Sequence, residues 1–243
     1  MHRFYCPNAD FSPHKIKITN PGEIYHLNTV LRMVKGDKLE IFNGKGEEIE
    51  GWIEEISKIE VEVLVVERRR DPNPQRTRVV LACAIPKKSK FEFIVEKSTE
   101  LGVDEIIPMR TSRTEVIWIG ERQERKGARY EGVAVNAAKQ SARLTVPVIH
   151  PQKEFKDVIA SFGPESLCLI PCLTGQRKPL KEVLQAIQGQ RQIVFLIGPE
   201  GDFTSQEVDS AIKAGFIPVS LGETTLKVDT AAIIAVGFTR MIL

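Results

Sequence analysis

The stretch of this chain with the greatest capacity for chemistry runs from Ile193 to Ala232. An apolar run, Ile193–Ile197, leads straight into Gly198-Pro199-Glu200-Gly201-Asp202-Phe203. Behind it Thr204-Ser205-Gln206-Glu207 has the spacing of a capping box that opens a helix. A second apolar run, Ile217–Leu221, leads into Gly222 and then Glu223-Thr224-Thr225-Leu226-Lys227-Val228-Asp229. Glycines just past strand ends let backbone approach a ligand closely, and open α/β sheets bind ligands at the carboxyl ends of parallel strands. Taken singly, either turn reads equally well as an ordinary strand–helix connection. A dinucleotide or nucleoside triphosphate site lacks its phosphate cradle, because no G-x-G-x-x-G follows a strand and no Walker A sequence occurs.

Such turns need strands and helices to hold them. Val79–Ile85, Val103–Pro108, Val146–Ile149 and Leu167–Ile170, with the two runs above, read as strands of the buried parallel type. Helices fall between them. One is opened by a capping box at Ser89-Lys90-Phe91-Glu92 and stopped at Gly102; others cover Gln123–Arg143 and Leu180–Gln188. The helix behind Thr204 closes at Gly215, and Thr230–Leu243 is the last. This alternation predicts an α/β domain with a parallel sheet covered on both faces. Residues 1–70 read differently: Lys38–Asn43, Glu48–Glu54 and Ile59–Val66 are short strands, Gly44–Gly46 is a turn, and Glu23–Met33 is a helix. A small β-barrel with one helix fits that pattern. Arg70-Asp71-Pro72-Asn73-Pro74-Gln75 is the clearest break, so we place one domain at 1–70, a linker at 71–78 and a second domain at 79–243.

With 42% hydrophobic residues and a net charge of only +2, the 243-residue chain has material for folded cores and is no generic polyanion binder. Its cations are nevertheless gathered: Arg68, Arg69, Arg70, Arg76, Arg78, Lys87, Lys88 and Lys90 follow one another with few acids between. That is either an electrostatic footprint for phosphates or a solvated linker. Cys6, Cys83, Cys168 and Cys172 form no CxxC pair and have no matching histidine pair, so no metal is expected and the thiols read as core residues of a reducing compartment. No apolar stretch has signal-peptide or membrane-spanning length, which places the chain in the cytoplasm with no membrane partner.

Taken together, the segments resemble a known family. IGPEGDF followed by LGETTLKVDTAA is similar to the paired cofactor loops of the SPOUT methyltransferases, and within them to the enzymes that methylate N3 of a uridine in 16S ribosomal RNA. The resemblance covers the whole chain. Met1-His2-Arg3-Phe4 is similar to the family's start, and His26-x3-Val30-Leu31-Arg32-x3-Gly36-Asp37 to its PUA-like front domain. Lys97–Val103 and Asn136–Arg143 followed by Pro147 match two further segments in the same order. The chain departs from the family where Asp202 replaces a second glycine and where Leu226–Ala231 reads LKVDTA in place of LRTETA.

The resemblance implies a sheet with a deep trefoil knot, a homodimer, and ribosomal RNA or the small ribosomal subunit as substrate. It implies S-adenosyl-L-methionine as cofactor, lined by Leu196, Ile197, Gly198, Pro199, Gly201, Leu221, Gly222 and Leu226. Uridine N3 must lose its proton to attack, so a base or a cation that stabilises the uracil oxyanions is required. Glu200 and Asp229 are the candidate bases and Lys227 the candidate cation, joined by Arg110, Arg113 and Arg143. Asp229 reads equally as the N-cap of the last helix. Arg110 and Arg113, just past a strand end, fit phosphate contacts; Asn136, Gln140 and Arg143 share one helix face at i, i+4 and i+7 and would border RNA or a dimer partner. Arg3, His26, Arg32 and Arg68–Arg70 are the expected RNA contacts of the front domain, continued by Lys87, Lys88 and Lys90, although His26 and Arg32 can instead pin the helix to the barrel. A related SPOUT enzyme acting on another RNA and a non-catalytic ribosome-assembly factor are the competing readings.

Overall fold

The computed structural model describes residues 1–87, 90–118, 120–186 and 189–243. Two compact units emerge, one of residues 1–74 with 138–146 and one of residues 75–137 with 147–243.

The first unit is built on β1 (His2–Tyr5), β2 (Lys15–Ile18), β3 (Lys38–Phe42), β4 (Glu47–Ile56) and β5 (Val61–Arg70), paired in the order β1-β3-β4-β5-β2. Only β1 and β3 run parallel. The ladder ends at β1 and β2, so the expected barrel is open at that seam. Alternate residues, among them Phe4, Ile16, Ile18, Leu39, Ile41 and Ile53, turn into one apolar core, as period-two strands require. At Gly51, beside a bulge, the Leu64 carbonyl comes within 2.4 Å of where a Cβ would stand, so the β4–β5 approach needs glycine. The helix expected over Glu23–Met33 is broken. Helix α1 (Pro21–Tyr25), capped by Asn20, passes into a π-turn over His26–Val30, and Arg32 ends the segment at φ 53. Strand β5 continues through Arg70, so the arginine run lies in the ladder opposite Glu47 and Glu48 instead of in a linker.

Residues 138–146 join this unit although they follow the break at 71–78, so the second domain is not contiguous. The reason is hydrogen bonding. Arg3, 5% exposed at its side chain, pairs with Glu48 at 2.7 Å and donates to the carbonyls of Ala138 (2.6 Å) and Arg143 (2.7 Å). Lys139 binds Glu23 at 2.8 Å. The long helix ends at Gln140, not Arg143: Ala142 takes φ 56 and the Arg143 N–H reaches the Ala138 carbonyl, a Schellman closure.

The second unit carries β6 (Arg78–Ala84), α2 (Lys90–Glu100), β7 (Glu105–Arg110), α3 (Glu121–Gln140), β8 (Val148–Ile149), β9 (Lys153–Glu154), α4 (Phe155–Ala160), β10 (Ser166–Pro171), β11 (Lys178–Pro179), α5 (Leu180–Gln185), β12 (Gln192–Ile197), α6 (Ser205–Lys213), β13 (Ile217–Ser220) and α7 (Val228–Ile242). The last residues of α3 fall in the first unit. All strand pairs are parallel, in the order β11-β13-β10-β12-β6-β7-β8, with β9 also on β7. Strands β6 and β12 are almost wholly buried, which is why they read as unbroken apolar runs. The capping box at Ser89 and the end of the helix predicted to Gln188 lie outside the described residues. Thr204 and Glu207 do form a capping box at α6, and Gly102 (φ 99) and Gly215 (φ 94) close α2 and α6 by Schellman bonds. Among the described residues no helix is long and apolar enough to cross a membrane.

Two side chains tie distant segments of this unit. Arg240 of α7 donates to the carbonyls of Thr77 (2.8 Å) and Gly102 (3.0 Å) and pairs with Asp104. Asp104 also accepts from the Val79 N–H at 2.8 Å and from Arg76 at 2.9 Å. Glu207, 7% exposed, accepts from the Ser112 N–H (2.8 Å), the Thr204 N–H (2.8 Å) and the Thr204 hydroxyl (2.9 Å). Burial alone would raise its pKa, but these hydrogen bonds outweigh it and hold the carboxyl below its ordinary 4.5.

Two outcomes are expected. Arg240→Ala removes one partner of a largely buried ion pair and two backbone anchors, so it should cost about 3 kcal/mol in a chemical denaturation series, and Arg240→Lys should recover little of it. Since the native carboxyl of Glu207 titrates below its unfolded value, its contribution is complete above about pH 4.5 and fades as pH falls toward the native value. Unfolding free energy measured from pH 6 downward should therefore lose less in Glu207→Gln than in the wild type across that acid window.

Candidate functional site

Because β13, β10, β12 and β6 are neighbours and parallel, their carboxyl ends open side by side. There the chain encloses a cavity of about 380 Å³, within the roughly 300–1,000 Å³ usual for small-molecule sites. Its walls come from Pro171–Leu173 at the end of β10, Ile197–Glu200 at the end of β12, Val219–Gly222 and Thr224–Lys227 at the end of β13 and beyond it, Val228, Asp229 and Ala231 at the start of α7, and Lys90 at the start of α2. Ile197, Val219, Leu221, Leu226, Val228 and Ala231 give an apolar lining, and Lys90, Arg177, Glu200, Asp202, Lys227 and Asp229 set charges of both signs around it.

Of the eight residues expected to line a cofactor, Ile197, Gly198, Pro199, Leu221, Gly222 and Leu226 border the cavity. Leu196 does not: it is fully buried in the core with Val80 and Phe203, because adjacent strand residues face opposite ways. Gly201 does not either. A Cβ there would stand 3.3 Å from the Arg113 side chain, which donates to the Gly201 carbonyl. The missing Cβ of Gly198 makes room for the Phe203 ring, at 3.1 Å, so that glycine serves packing. At Gly222, φ 141, no atom stands within 4 Å of the Cβ position.

All three proposed catalytic side chains border the cavity. Glu200 is exposed, and its Oε1 accepts the Lys87 N–H at 3.0 Å. Lys227, not Asp229, is the N-cap of α7, and no side chain caps that end. Asp229 is the second residue of α7, 19% exposed at its side chain; Lys90 Nζ lies 3.5 Å from Oδ2, while Oδ1 is buried without a hydrogen-bond partner among the described residues.

Asp202 takes φ 59, the left-handed region, and its Oδ2 accepts the Leu173 N–H at 3.0 Å. Aspartate is among the few non-glycine residues that enter this region readily. It thereby joins the loop after β12 to the loop after β10, where Arg177 donates to the Cys172 carbonyl at 2.9 Å. Lys90, expected on an RNA-binding surface, lines the cavity instead, and Arg177 and Cys172 join it without any local signal, since only the strand order brings them here.

Most of the expected RNA contacts have partners inside the fold. Arg3 is buried in its hydrogen bonds, which removes it from any phosphate. Arg68 donates to the Ser12 and Pro13 carbonyls, Arg69 binds Glu67 at 3.0 Å, and Arg70 binds Glu47 at 3.1 Å. Arg110 pairs with Glu154 at 3.1 Å, Arg113 braces the 201–203 turn, and Lys87 pairs with Glu115 at 2.8 Å. Arg143 donates to Thr145 and lies outside the helix, so the three-residue face is reduced to Asn136 and Gln140, both exposed. His26 packs its ring 6.1 Å from Phe4, and Arg32 is exposed. Lys88 lies outside the described residues.

Thiol chemistry is disfavoured here. All four cysteines are buried, and burial raises each thiol pKa, to about 12 at Cys6 and about 11 at Cys168. Among the described residues no group of side chains could hold a metal ion.

Comparison with known proteins adds the family. Residues 72–240 match the model of an RNA methyltransferase domain, and residues 18–66 that of an RNA methyltransferase PUA domain. The chain is 33% identical over 220 residues to ribosomal RNA small subunit methyltransferase E of Synechocystis, spanning 89% of this chain and 70% of that protein. It is 26% identical to the protein of the same name from Bacillus subtilis, spanning 88% and 86% of the two chains. A crystal structure of the Neisseria gonorrhoeae protein of that name, bound to S-adenosyl methionine, superimposes with a TM-score of 0.87 at 28% identity, covering 99% of this chain and 97% of the other. With its sheet, its front domain and its cavity all accounted for, the chain belongs to the RNA methyltransferase family that includes ribosomal RNA small subunit methyltransferase E.

Proposed function

We propose that this chain transfers a methyl group from S-adenosyl-L-methionine to N3 of a uridine in 16S ribosomal RNA, within the cytoplasm, on naked RNA or on the small ribosomal subunit. The observation that carries the reading is Asp229: a carboxylate with one buried, unpartnered oxygen, set beside Lys90 in a cavity of cofactor size. The cavity suits the cofactor chemically. Its apolar wall matches an adenine ring, its carboxylates complement a sulfonium and an ammonium, and Arg177, Lys90 or Lys227 can meet a carboxylate. When bound, S-adenosylmethionine supplies a methyl group already activated by positive sulfur.

The protein's part is to place and deprotonate the nucleophile. The Asp229 carboxylate takes the N3 proton, while Lys90, 3.5 Å from Oδ2, faces the negative charge that spreads onto the uracil oxygens. Glu200 is less suited, since one of its oxygens already holds the Lys87 N–H. Lys227 adds a second cation at the rim. The resemblance to SPOUT enzymes supports a knotted path for the loops around the cavity. It also supports a homodimer, for which exposed Phe93 on α2, Leu101 just past its end, and Ile234 and Met241 on α7 supply apolar surface.

The test is methyl transfer from labelled S-adenosylmethionine to small ribosomal subunits that lack the modification, with nucleoside analysis of the product. N3-methyluridine is expected. Asp229→Asn should lower kcat by about 100-fold or more and leave cofactor affinity within about threefold. Gly222→Val should lose cofactor binding, because the left-handed backbone there rejects a branched side chain. Cofactor binding without any N3-methyluridine would overturn the assigned substrate.

A further inference from the structure

Arginines and lysines that read as RNA contacts are largely occupied within the fold, whereas three cations on α3 are not. Arg122 and Arg125 are exposed, and Lys126 is half-buried with its Nζ 5.9 Å from the Tyr130 ring centre. None of the three is ion-paired among the described residues. At about 100° per residue, Arg122, Arg125, Lys126 and Arg129 share an arc of about 100°, and Glu121, Glu124 and Glu131 fall outside it.

The arc is held in place and leads somewhere. Arg129 pairs with Glu92 at 2.8 Å, in the first turn of α2, and Lys90 at the start of that helix lines the cavity. Tyr130 packs at 5.1 Å on Phe91 and at 5.3 Å on Trp118, so the basic arc stands on an aromatic anchor. Arg122 has like-charged neighbours at i+3 and i+4, and Arg129 has them at i−4 and i−3, spacings at which like charges repel. A solvated helix face gains nothing from that repulsion, and a polyanion laid across it removes it.

We propose that Arg122, Arg125, Lys126 and Arg129 form a phosphate track, which binds the RNA backbone beside the target nucleotide and guides it to the cavity past Lys90. The assignment rests on the RNA methyl-transfer reading. Such contacts carry no sequence information; they position the strand and make its binding salt-dependent.

The experiment measures binding of small-subunit ribosomal RNA across a salt series, by the wild type and by the triple variant Arg122→Gln, Arg125→Gln, Lys126→Gln. At about 0.7–0.9 per neutralised phosphate, the slope of log affinity against log salt should fall by about 2–3. Affinity near 0.1 M salt should drop about tenfold or more, and KM for RNA should rise while kcat at saturating RNA and S-adenosylmethionine affinity hold. A control of equal charge change, Lys156→Gln with Lys181→Gln and Lys213→Gln, exposed on other elements, should shift the slope little. An unchanged slope in the arc variant, or an equal loss in the control, overturns the track and leaves the methyltransferase reading intact. A wild type that binds the cofactor but no RNA overturns both.

Discussion

Asp104 is the point on which the second unit depends. A carboxylate with only 15% of its side chain exposed must be fully satisfied or it costs the fold heavily, and here it gathers the Val79 N–H, Arg76 and Arg240. Those partners come from around the start of β6 and from the far end of the last helix. Arg240 adds the Thr77 and Gly102 carbonyls, so the turn that closes α2 is fastened to the same spot. Gly102 itself must be glycine on two counts: φ is 99, and a Cβ would stand 3.2 Å from the Arg240 guanidinium. Since α7 is one uninterrupted helix, fixing its carboxyl end beside the starts of β6 and β7 also constrains where its first turn delivers Val228, Asp229 and Ala231.

The opposite ends of the strands are fastened more lightly. The loop after β12 is steadied from three sides: Arg113 on the Gly201 carbonyl, Phe203 packed under Gly198, and Asp202 on the Leu173 N–H. Glu207 joins the loop after β7 to the start of α6 in the same region. These bonds are at the exposed edge or rest on single side chains, as a site that must admit and release a ligand demands.

Local grammar was legible and long-range partnership was not. Thr204 with Glu207, Gly102 and Gly215 could be read because a cap involves residues three to six apart. The paired loops after Ile197 and Leu221 stood out because glycine and proline follow apolar runs there. Arg3 was misread as a phosphate contact because its carbonyl acceptors lie 135 and 140 residues away. The Arg68–Arg70 run stays exposed, but opposite it in the ladder stand Glu47 and Glu48, which no window of sequence shows as neighbours. Charge clustering along the chain is thus a poor guide where a strand partner cancels it. Helical charge is different, since residues at i+3 and i+4 share a face by geometry alone. The arc on α3 is less plain in linear order, where Glu124 stands between Arg122 and Arg125 and Glu121 and Glu131 flank the set.

Asp202 shows how a departure from a family pattern should be weighed. Judged by composition, an acid in place of glycine at a cofactor loop looks disabling. Judged by conformation it is mild, because φ 59 is a value that aspartate tolerates better than almost any other side chain. Glycine would reach the same backbone at greater entropic cost to the unfolded chain and would leave the Leu173 N–H without this acceptor. The aspartate instead turns a conformational requirement into a tie between two loops that face one cavity. The substitution argues for a retained pocket, since a decayed one would have no use for the left-handed turn or for the bond it makes possible.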